Sequence, residues 1–568
     1  MTTPFVLFDD ARPGGRAILY RGPAAIVEAR APAAVRPALA RLRGRRAAGF
    51  IAYEAGHALE PKLGPLAAAP GPEAPPLLWF GLFERAEQVD VDAFLPDPDG
   101  AWAGAPRPLV GEAEYRAAAE RVLDHVGAGD VYQANLTFPA EARIAGSPLA
   151  LYAGLRRRAR AGHGALLFTG AHWILSLSPE LFFALEGGTV TTRPMKGTAP
   201  AGADAAALRD DPKQRAENLM IVDLIRNDLS RVARTGTVRV PELFAVEHYP
   251  TVLQMTSTVT AELEEGLGPV DVVEAIFPCG SITGAPKIRA MEIVAGLEAA
   301  PRSVYCGAIG RLAPDGEAAF NVAIRTLVLA AGASVARLGL GSGIVADSRA
   351  GDEWRECLAK GAFVADPRRF DLIETMAFDP HDGVAELDRH LARLKRSAQA
   401  LDFSFDRHMA RNDLQAATFR AGPSLVRLRL ARSGAVAIEL RPLPAPPPEP
   451  VAVAVAPLPV AADDFRLAHK TSDRAFYDEA RAASGAFEVL FRDEAGFLTE
   501  GSFTTLFVER GGRLLTPPLS RGLLAGVLRE RLIEEGRAEE ADLTEADLAP
   551  GFLIGNSARG LIRAVLRN

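Results

Sequence analysis

Glu217-Asn218-Leu219-Met220-Ile221-Val222-Asp223-Leu224-Ile225-Arg226-Asn227-Asp228 is the stretch on which the reading of this chain turns. At about 100° per residue, Glu217, Ile221, Leu224 and Asp228 share one helical face. Just upstream, Asp210-Asp211-Pro212 offers an aspartate as N-cap and a proline for the first turn, so the helix is predicted to begin there. Two carboxylates on an apolar face need a cation, an arginine or a proton, because burying an unpaired charge is costly.

Four more segments join this helix: Ser178-Pro179-Glu180; Arg193-Pro194-Met195-Lys196-Gly197-Thr198; Cys279-Gly280-Ser281-Ile282-Thr283-Gly284-Ala285-Pro286-Lys287; and Gly341-Ser342-Gly343-Ile344-Val345-Ala346-Asp347-Ser348. The last leads into Glu353-Trp354-Arg355-Glu356-Cys357-Leu358-Ala359-Lys360. Taken singly, each has a plain structural explanation. A Gly-Ser-Gly run is a turn, a lysine before glycine is solvated, and Glu356 and Lys360 make a helix-surface pair. Together they describe a site for an anionic, oxygen-rich substrate. Glycine lets backbone N–H groups approach a carboxylate closely. Glu217 and Glu356 supply hard oxygen ligands of the kind that hold Mg²⁺ while leaving places for water and substrate.

The order of these segments resembles that of the chorismate-utilising enzymes, which include anthranilate synthase component I, aminodeoxychorismate synthase component I and the isochorismate and salicylate synthases. It is close over residues 111–365 and fainter before them. The resemblance implies that Glu217 and Glu356 bind Mg²⁺, with Glu353 adjoining. It implies that Ser281, Tyr305, Arg325, Gly341 and Gly343 hold chorismate, with Lys360 nearby. Arg325 suits that role as a planar carboxylate fork. Glu180 matches the acid that protonates the departing 4-hydroxyl, which requires a raised pKa.

Within that family Lys196 is similar to the lysine of aminodeoxychorismate synthases, where anthranilate synthases usually have alanine. There the amine attacks C2 of chorismate as the 4-hydroxyl leaves, and ammonia then displaces the lysine. The amine must be neutral, so burial is expected to lower its pKa. Isochorismate and salicylate synthases use water activated by a lysine where this chain has Gln133, which cannot serve as that base. In Tyr249-Pro250-Thr251-Val252-Leu253-Gln254-Met255, Gln254 stands where many relatives carry a histidine linked to pyruvate elimination. No cysteine lies in a Gly-x-Cys-x-Gly setting, so the resemblance implies ammonia from a separate glutamine amidotransferase subunit.

The remainder of the chain has a different pattern. A break at Asp366-Pro367-Arg368-Arg369 precedes a predicted strand at 370–376, a turn at 379–383 and a helix at about 387–401. Pro442-Leu443-Pro444-Ala445-Pro446-Pro447-Pro448-Glu449-Pro450 excludes helix and central strand and is read as a stiff linker between two lobes. Lys470 ends a polar loop, Glu500 precedes the apolar strand Thr504-Thr505-Leu506-Phe507, and Arg393 lies on a basic helix. Pyridoxal phosphate requires a lysine, a carboxylate for its pyridine nitrogen and an arginine for its phosphate. Three unrelated surface charges would give the same pattern.

These segments are similar to the fold-type IV pyridoxal-phosphate enzymes, the branched-chain and D-amino-acid aminotransferases and aminodeoxychorismate lyase. The resemblance implies that Lys470 carries the cofactor, Glu500 faces its nitrogen, Arg393 binds its phosphate and Val527 and Leu528 complete the phosphate site. It leaves room for a homodimer through this domain. The hairpin before Leu372-Ile373-Glu374-Thr375 is shortened, and Thr505 stands where asparagine is frequent.

At 568 residues the chain is too long for one core. The expectation is an α+β chorismate-utilising fold of large antiparallel and mixed sheets with flanking helices over 1–366, then a two-lobed fold-type IV domain over 367–568. Hydrophobic content of 48%, charged content of 24% and a net charge of −7 fit a soluble globular protein and give no basic block for nucleic acid. Three cysteines without CxxC spacing indicate neither disulfide framework nor zinc site. Met1-Thr2-Thr3-Pro4 opens no signal peptide and no apolar run approaches the ~20 residues of a membrane span, so a cytoplasmic enzyme is expected.

The function these resemblances imply is Mg²⁺-dependent amination of chorismate to 4-amino-4-deoxychorismate, then pyridoxal-phosphate-dependent release of pyruvate to give 4-aminobenzoate, a folate precursor. The alternatives are an anthranilate synthase component I fused to a class IV aminotransferase, and a C-terminal domain that only docks the amidotransferase.

Overall fold

A computed structural model describes residues 3–200, 202–248 and 252–567, and the backbone alone at Val252. Met1 and Thr2, and the Tyr249-Pro250-Thr251 part of the glutamine segment, lie outside the described residues. By backbone contacts the chain divides into two compact units: 1–95, 105–142 and 152–365 form the first, and 96–104, 143–151 and 366–568 the second.

The first unit is built on two large sheets. The apolar run at Phe5–Asp9 is almost wholly buried and pairs antiparallel with both His163–Phe168 and Ala17–Arg21. Val6, Leu167 and Ile174 from one sheet meet Phe50, Trp79 and Ile309 from the other in a common core. Such opposed inner faces are how two sheets share one hydrophobic layer. The strand Gln133–Ala145 is long because its alternating apolar residues continue past Phe138. A short 3-10 helix, Pro61–Leu66, has its first turn capped by the Glu60 carboxylate.

The decisive helix spans Pro212–Leu229, and the Asp211 side chain accepts from the Gln214 N–H at its start. Asp228, at its far end, receives the Lys287 ammonium at 2.7 Å. That ion pair is the cation the apolar face required.

The second unit holds a four-stranded antiparallel sheet around Leu372–Asp379 and Ser424–Leu430 and an eight-stranded mixed sheet. In the latter, Val451–Pro457 pairs parallel with Glu488–Arg492 and with Gly560–Leu566. The helix Leu387–Ala400 buries Leu391, Leu394 and Ala398 against the smaller sheet. The proline-rich segment joins the end of one sheet, Val436–Pro442, to the start of the other at Val451. No described helix is long and apolar enough to cross a membrane.

Candidate active site

Lys196 lies on the strand Met195–Pro200, partly buried, within electrostatic reach of Glu180, Glu217, Glu356 and Lys360. Burial, and then the Lys360 charge, lower its pKa below that of a free amine, while Glu217, Glu180 and Glu356 oppose the shift. Glu180 is 4% exposed, and its carboxylate accepts the Ser281 hydroxyl at 2.6 Å. Burial pushes Glu180 up to about 7, against the pull of Ser281 and Lys196. A buried carboxyl whose pKa rises to about 7 thus shares its surroundings with an amine whose pKa is lowered.

Glu217 is half-buried and accepts no hydrogen bond from any described residue. Burial raises its pKa, as do the nearby Asp347 and Glu356 carboxylates, while Lys196 and Lys213 lower it. Glu356 is half-exposed and pairs with Lys360 at 2.7 Å, the helix-surface pair of the plain reading. Burial disfavours its charge, but Lys360, Lys196 and Lys213 hold it below the usual carboxylate value. Glu353, one turn before, accepts the Ser348 hydroxyl at 2.6 Å. Among the described residues no three His, Cys, Asp or Glu side chains are grouped to hold a metal alone. An unpaired glutamate with a second carboxylate beside it still fits Mg²⁺, which takes one or two protein carboxylates and completes its shell with water and substrate.

The other residues expected to hold the substrate occupy neighbouring backbone. Lys360 donates to the Gly341 carbonyl at 3.0 Å. A Cβ on Gly343 would lie 2.7 Å from Asn135 Oδ1 and 2.9 Å from Gln133 Nε2, so any larger residue there would displace those two amides. Asn135 in turn donates to the Ser281 carbonyl at 2.8 Å, which ties the Gly343 strand to the serine that serves Glu180. Tyr305 lies flat on Gly339, where a Cβ would fall 1.9 Å from its ring. Arg325 is half-buried with φ of 49°, and its carbonyl accepts from Leu177, on the strand that runs into Glu180. Gln133 is fully buried; its amide nitrogen donates to Asn135 at 2.9 Å and its oxygen has no partner.

In the second unit, Arg393, Lys470, Glu500, Val527 and Leu528 line one cavity of about 370 Å³. Burial, and then the Arg393 charge, bring Lys470 down to about 7. Glu500 accepts from Tyr477 Oη at 2.6 Å and from the Leu524 N–H at 3.1 Å, yet burial still lifts it to about 7. Gly526 caps the helix Val527–Glu534, whose first residues face the cavity. A lysine, a buried carboxylate, an arginine and a helix start around one cavity fit pyridoxal phosphate.

Several residues here carry no motif signal. Glu374 takes a two-pronged contact from Arg393, at 2.9 and 2.6 Å, and a third bond from His390 at 2.7 Å. Despite burial, Arg393 and His390 hold Glu374 well below the usual carboxylate range. Arg427 lines the cavity with its buried Nε unpartnered. Only the alternation of Leu425, Arg427 and Arg429 along a strand hinted that basic residues would face one side.

Residues 4–366 match the family model described as chorismate binding enzyme, and residues 371–565 match that of the class IV amino-transferases. The chain is 41% identical over 280 residues to a 2-amino-4-deoxychorismate synthase of Streptomyces globisporus, which covers 48% of this chain and 56% of that one. It is 44% identical over 254 residues to aminodeoxychorismate synthase component 1 of Klebsiella aerogenes, covering 44% and 56%. The chain thus spans little more than half the length of these two relatives. Among solved structures, anthranilate synthase component I from Streptococcus pneumoniae TIGR4 is similar with a TM-score of 0.54 at 26% identity, over 61% of this chain and 91% of its own. Its paired carboxylates, its glycine-lined strand and a family match over more than half its length place this chain in the chorismate binding enzyme family.

Proposed function

We propose that this chain makes 4-aminobenzoate in two steps, with residues 1–366 aminating chorismate at C4 and residues 367–568 removing pyruvate from the product. The observation that carries the first step is Lys196, an amine of lowered pKa held among Glu180, Glu217 and Glu356. Its Nζ attacks C2 of chorismate, the ring double bonds shift, and the 4-hydroxyl leaves as water with the Glu180 proton. Ammonia then adds at C4, the double bonds shift back, and the C2–N bond breaks to return Lys196 as an amine. Glu217 and Glu356 would hold Mg²⁺, which supplies positive charge to the substrate carboxylate. Gln133, buried and without a basic nitrogen, supports ammonia over activated water as the nucleophile.

In the second step Lys470 moves protons at its Nζ as pyruvate departs and the ring becomes aromatic; a pKa of about 7 suits both giving and taking. Glu500 would face the pyridine nitrogen and Arg393 the phosphate. When bound, pyridoxal phosphate supplies an electron sink for carbanion chemistry. The class IV match supports this reading, and the lyase assignment rests on the first unit making its substrate.

The test is to incubate the protein with chorismate, Mg²⁺ and ammonium salt, with and without pyridoxal phosphate. Ultraviolet spectra should show 4-aminobenzoate only with the cofactor. Formation of 2-aminobenzoate would favour an anthranilate synthase, the activity named for the Streptococcus pneumoniae structure. A purified protein that takes up no cofactor would favour the docking domain.

A further inference from the structure

The strand that carries Lys196 is irregular at that residue. Met195 pairs with Thr256 and Thr198 with Gln254, so three steps on the lysine strand match two on its partner. Lys196 and Gly197 therefore sit in a β-bulge, where main-chain groups lose their ladder partners. Gly197 has φ of 94°, and a Cβ there would lie 3.1 Å from both Gln214 Oε1 and Met255 Cβ.

Two side-chain amides take up the exposed carbonyls. Asn218 Nδ2 donates to the Lys196 carbonyl at 3.3 Å, and Gln254 Nε2 donates to the Gly197 carbonyl at 2.8 Å. Each amide is also held by its oxygen. Thr198 Oγ1 donates to Gln254 Oε1 at 3.0 Å, and Ser257 Oγ donates to Asn218 Oδ1 at 2.6 Å. Ser257 Oγ already accepts the Phe244 N–H, so its own proton is committed to Asn218. A flip of either amide would set its oxygen against a main-chain carbonyl, an arrangement with no hydrogen to share. Asn218 is 1% exposed and follows Glu217 on the same helix, so the helix that presents the carboxylate also grips the lysine backbone.

We propose that Gln254 and Asn218 are positioning residues that clamp the bulge at the successive Lys196 and Gly197 carbonyls and fix the Lys196 amine at a set offset from Glu217. This rests on the reading of Lys196 as the nucleophile. A displacement of about 1 Å at a reacting centre costs roughly 100-fold in rate, so a loosened bulge should show in turnover before it shows in substrate binding.

The experiment compares Gln254→Met, Thr198→Val and Lys196→Ala with the wild-type chain. Two quantities are measured: acylation of the Lys196 amine by an amine-directed reagent, mapped by peptide mass spectrometry without substrate, and kcat and KM for chorismate with ammonium salt. Gln254→Met should raise Lys196 acylation about fivefold or more, leave Lys213 and Lys287 unchanged, and lower kcat roughly 10- to 100-fold with KM within about threefold. Thr198→Val, at an exposed side chain, should move the same readouts less and in the same direction. Unchanged acylation and kcat in folded Gln254→Met overturn the clamp; if that variant does not fold, unchanged values in Thr198→Val overturn it. If Lys196→Ala still aminates chorismate while Gln254→Met exposes the amine, the clamp stands and the nucleophile assignment falls.

Discussion

Glu180 shows how one buried carboxyl links chemistry to stability. Its ordinary value of 4.5 rises to about 7 in the fold, with burial as the first cause. The folded state therefore binds a proton that the unfolded chain releases between those values, and stability falls as pH rises through that window. At about 1.36 kcal/mol per unit, the ionised form costs the fold on the order of 3 kcal/mol above pH 7 and nothing below about 4.5. Glu180→Gln keeps an acceptor for Ser281 and removes the charge. It should be more stable than wild type in urea melts at pH 8 and no different at pH 4, while amination drops roughly 10²- to 10⁴-fold. In the wild type, amination that depends on the Glu180 proton should decline above about pH 7. A variant gain that is equal at both pH values would mean Glu180 is ionised throughout. The residue type and its place in Ser178-Pro179-Glu180 were legible in the sequence; the Ser281 hydrogen bond, from a residue 101 positions away, was not.

The helix Pro212–Leu229 carries the same lesson at the scale of an element. Its start was legible because Asp211 and Pro212 act locally, and the structure has the aspartate accepting from Gln214. The apolar face with two carboxylates was legible from periodicity, but the partner of each depends on another element. Asp228 found Lys287, whose side chain is 11% exposed against 8% for the aspartate. Glu217 found no partner of that kind. The element thus ends in a structural ion pair at one carboxylate and an unsatisfied one at the other, which separates a packing role from a binding role. Asp228→Ala leaves a buried ammonium uncompensated and should cost about 3–5 kcal/mol in chemical denaturation. Replacing both partners, Asp228→Leu with Lys287→Met, should recover most of that loss. If the double variant is no more stable than the single one, packing around Asp228 rather than its charge holds the helix end. The Glu374, Arg393 and His390 cluster was missed for the same reason, since its members come from a strand and a helix and their spacing follows no motif.

At the scale of the molecule, a reading along the chain finds a change of pattern near residue 366, but it cannot see that 96–104 and 143–151 cluster with 366–568. Trp102 packs with Phe370, Leu372 and Leu428, a contact between residues far apart in sequence that no local window contains. Each unit nevertheless has a core of its own. Val27, Phe80 and Phe320 belong to the first, and Val453, Leu506 and Ile554 to the second. Separate cores predict that a point change in one reaction site leaves the other unit folded. Lys196→Ala and Lys470→Ala should therefore each lack one step and retain the other. Lys470→Ala should accumulate aminodeoxychorismate from chorismate, Mg²⁺ and ammonium salt, and Lys196→Ala should accept that compound when it is supplied. Mixed in one tube with pyridoxal phosphate, the two variants should restore 4-aminobenzoate after a lag, because the intermediate must leave one chain and enter another. The lag should shorten as the concentration of Lys196→Ala rises, since capture is then bimolecular. Retention of the intermediate on Lys470→Ala, so that none appears in solution and the mixture stays silent, would mean it is passed on only within a chain. Continued aminobenzoate release from Lys470→Ala alone would remove the lyase assignment from the second unit.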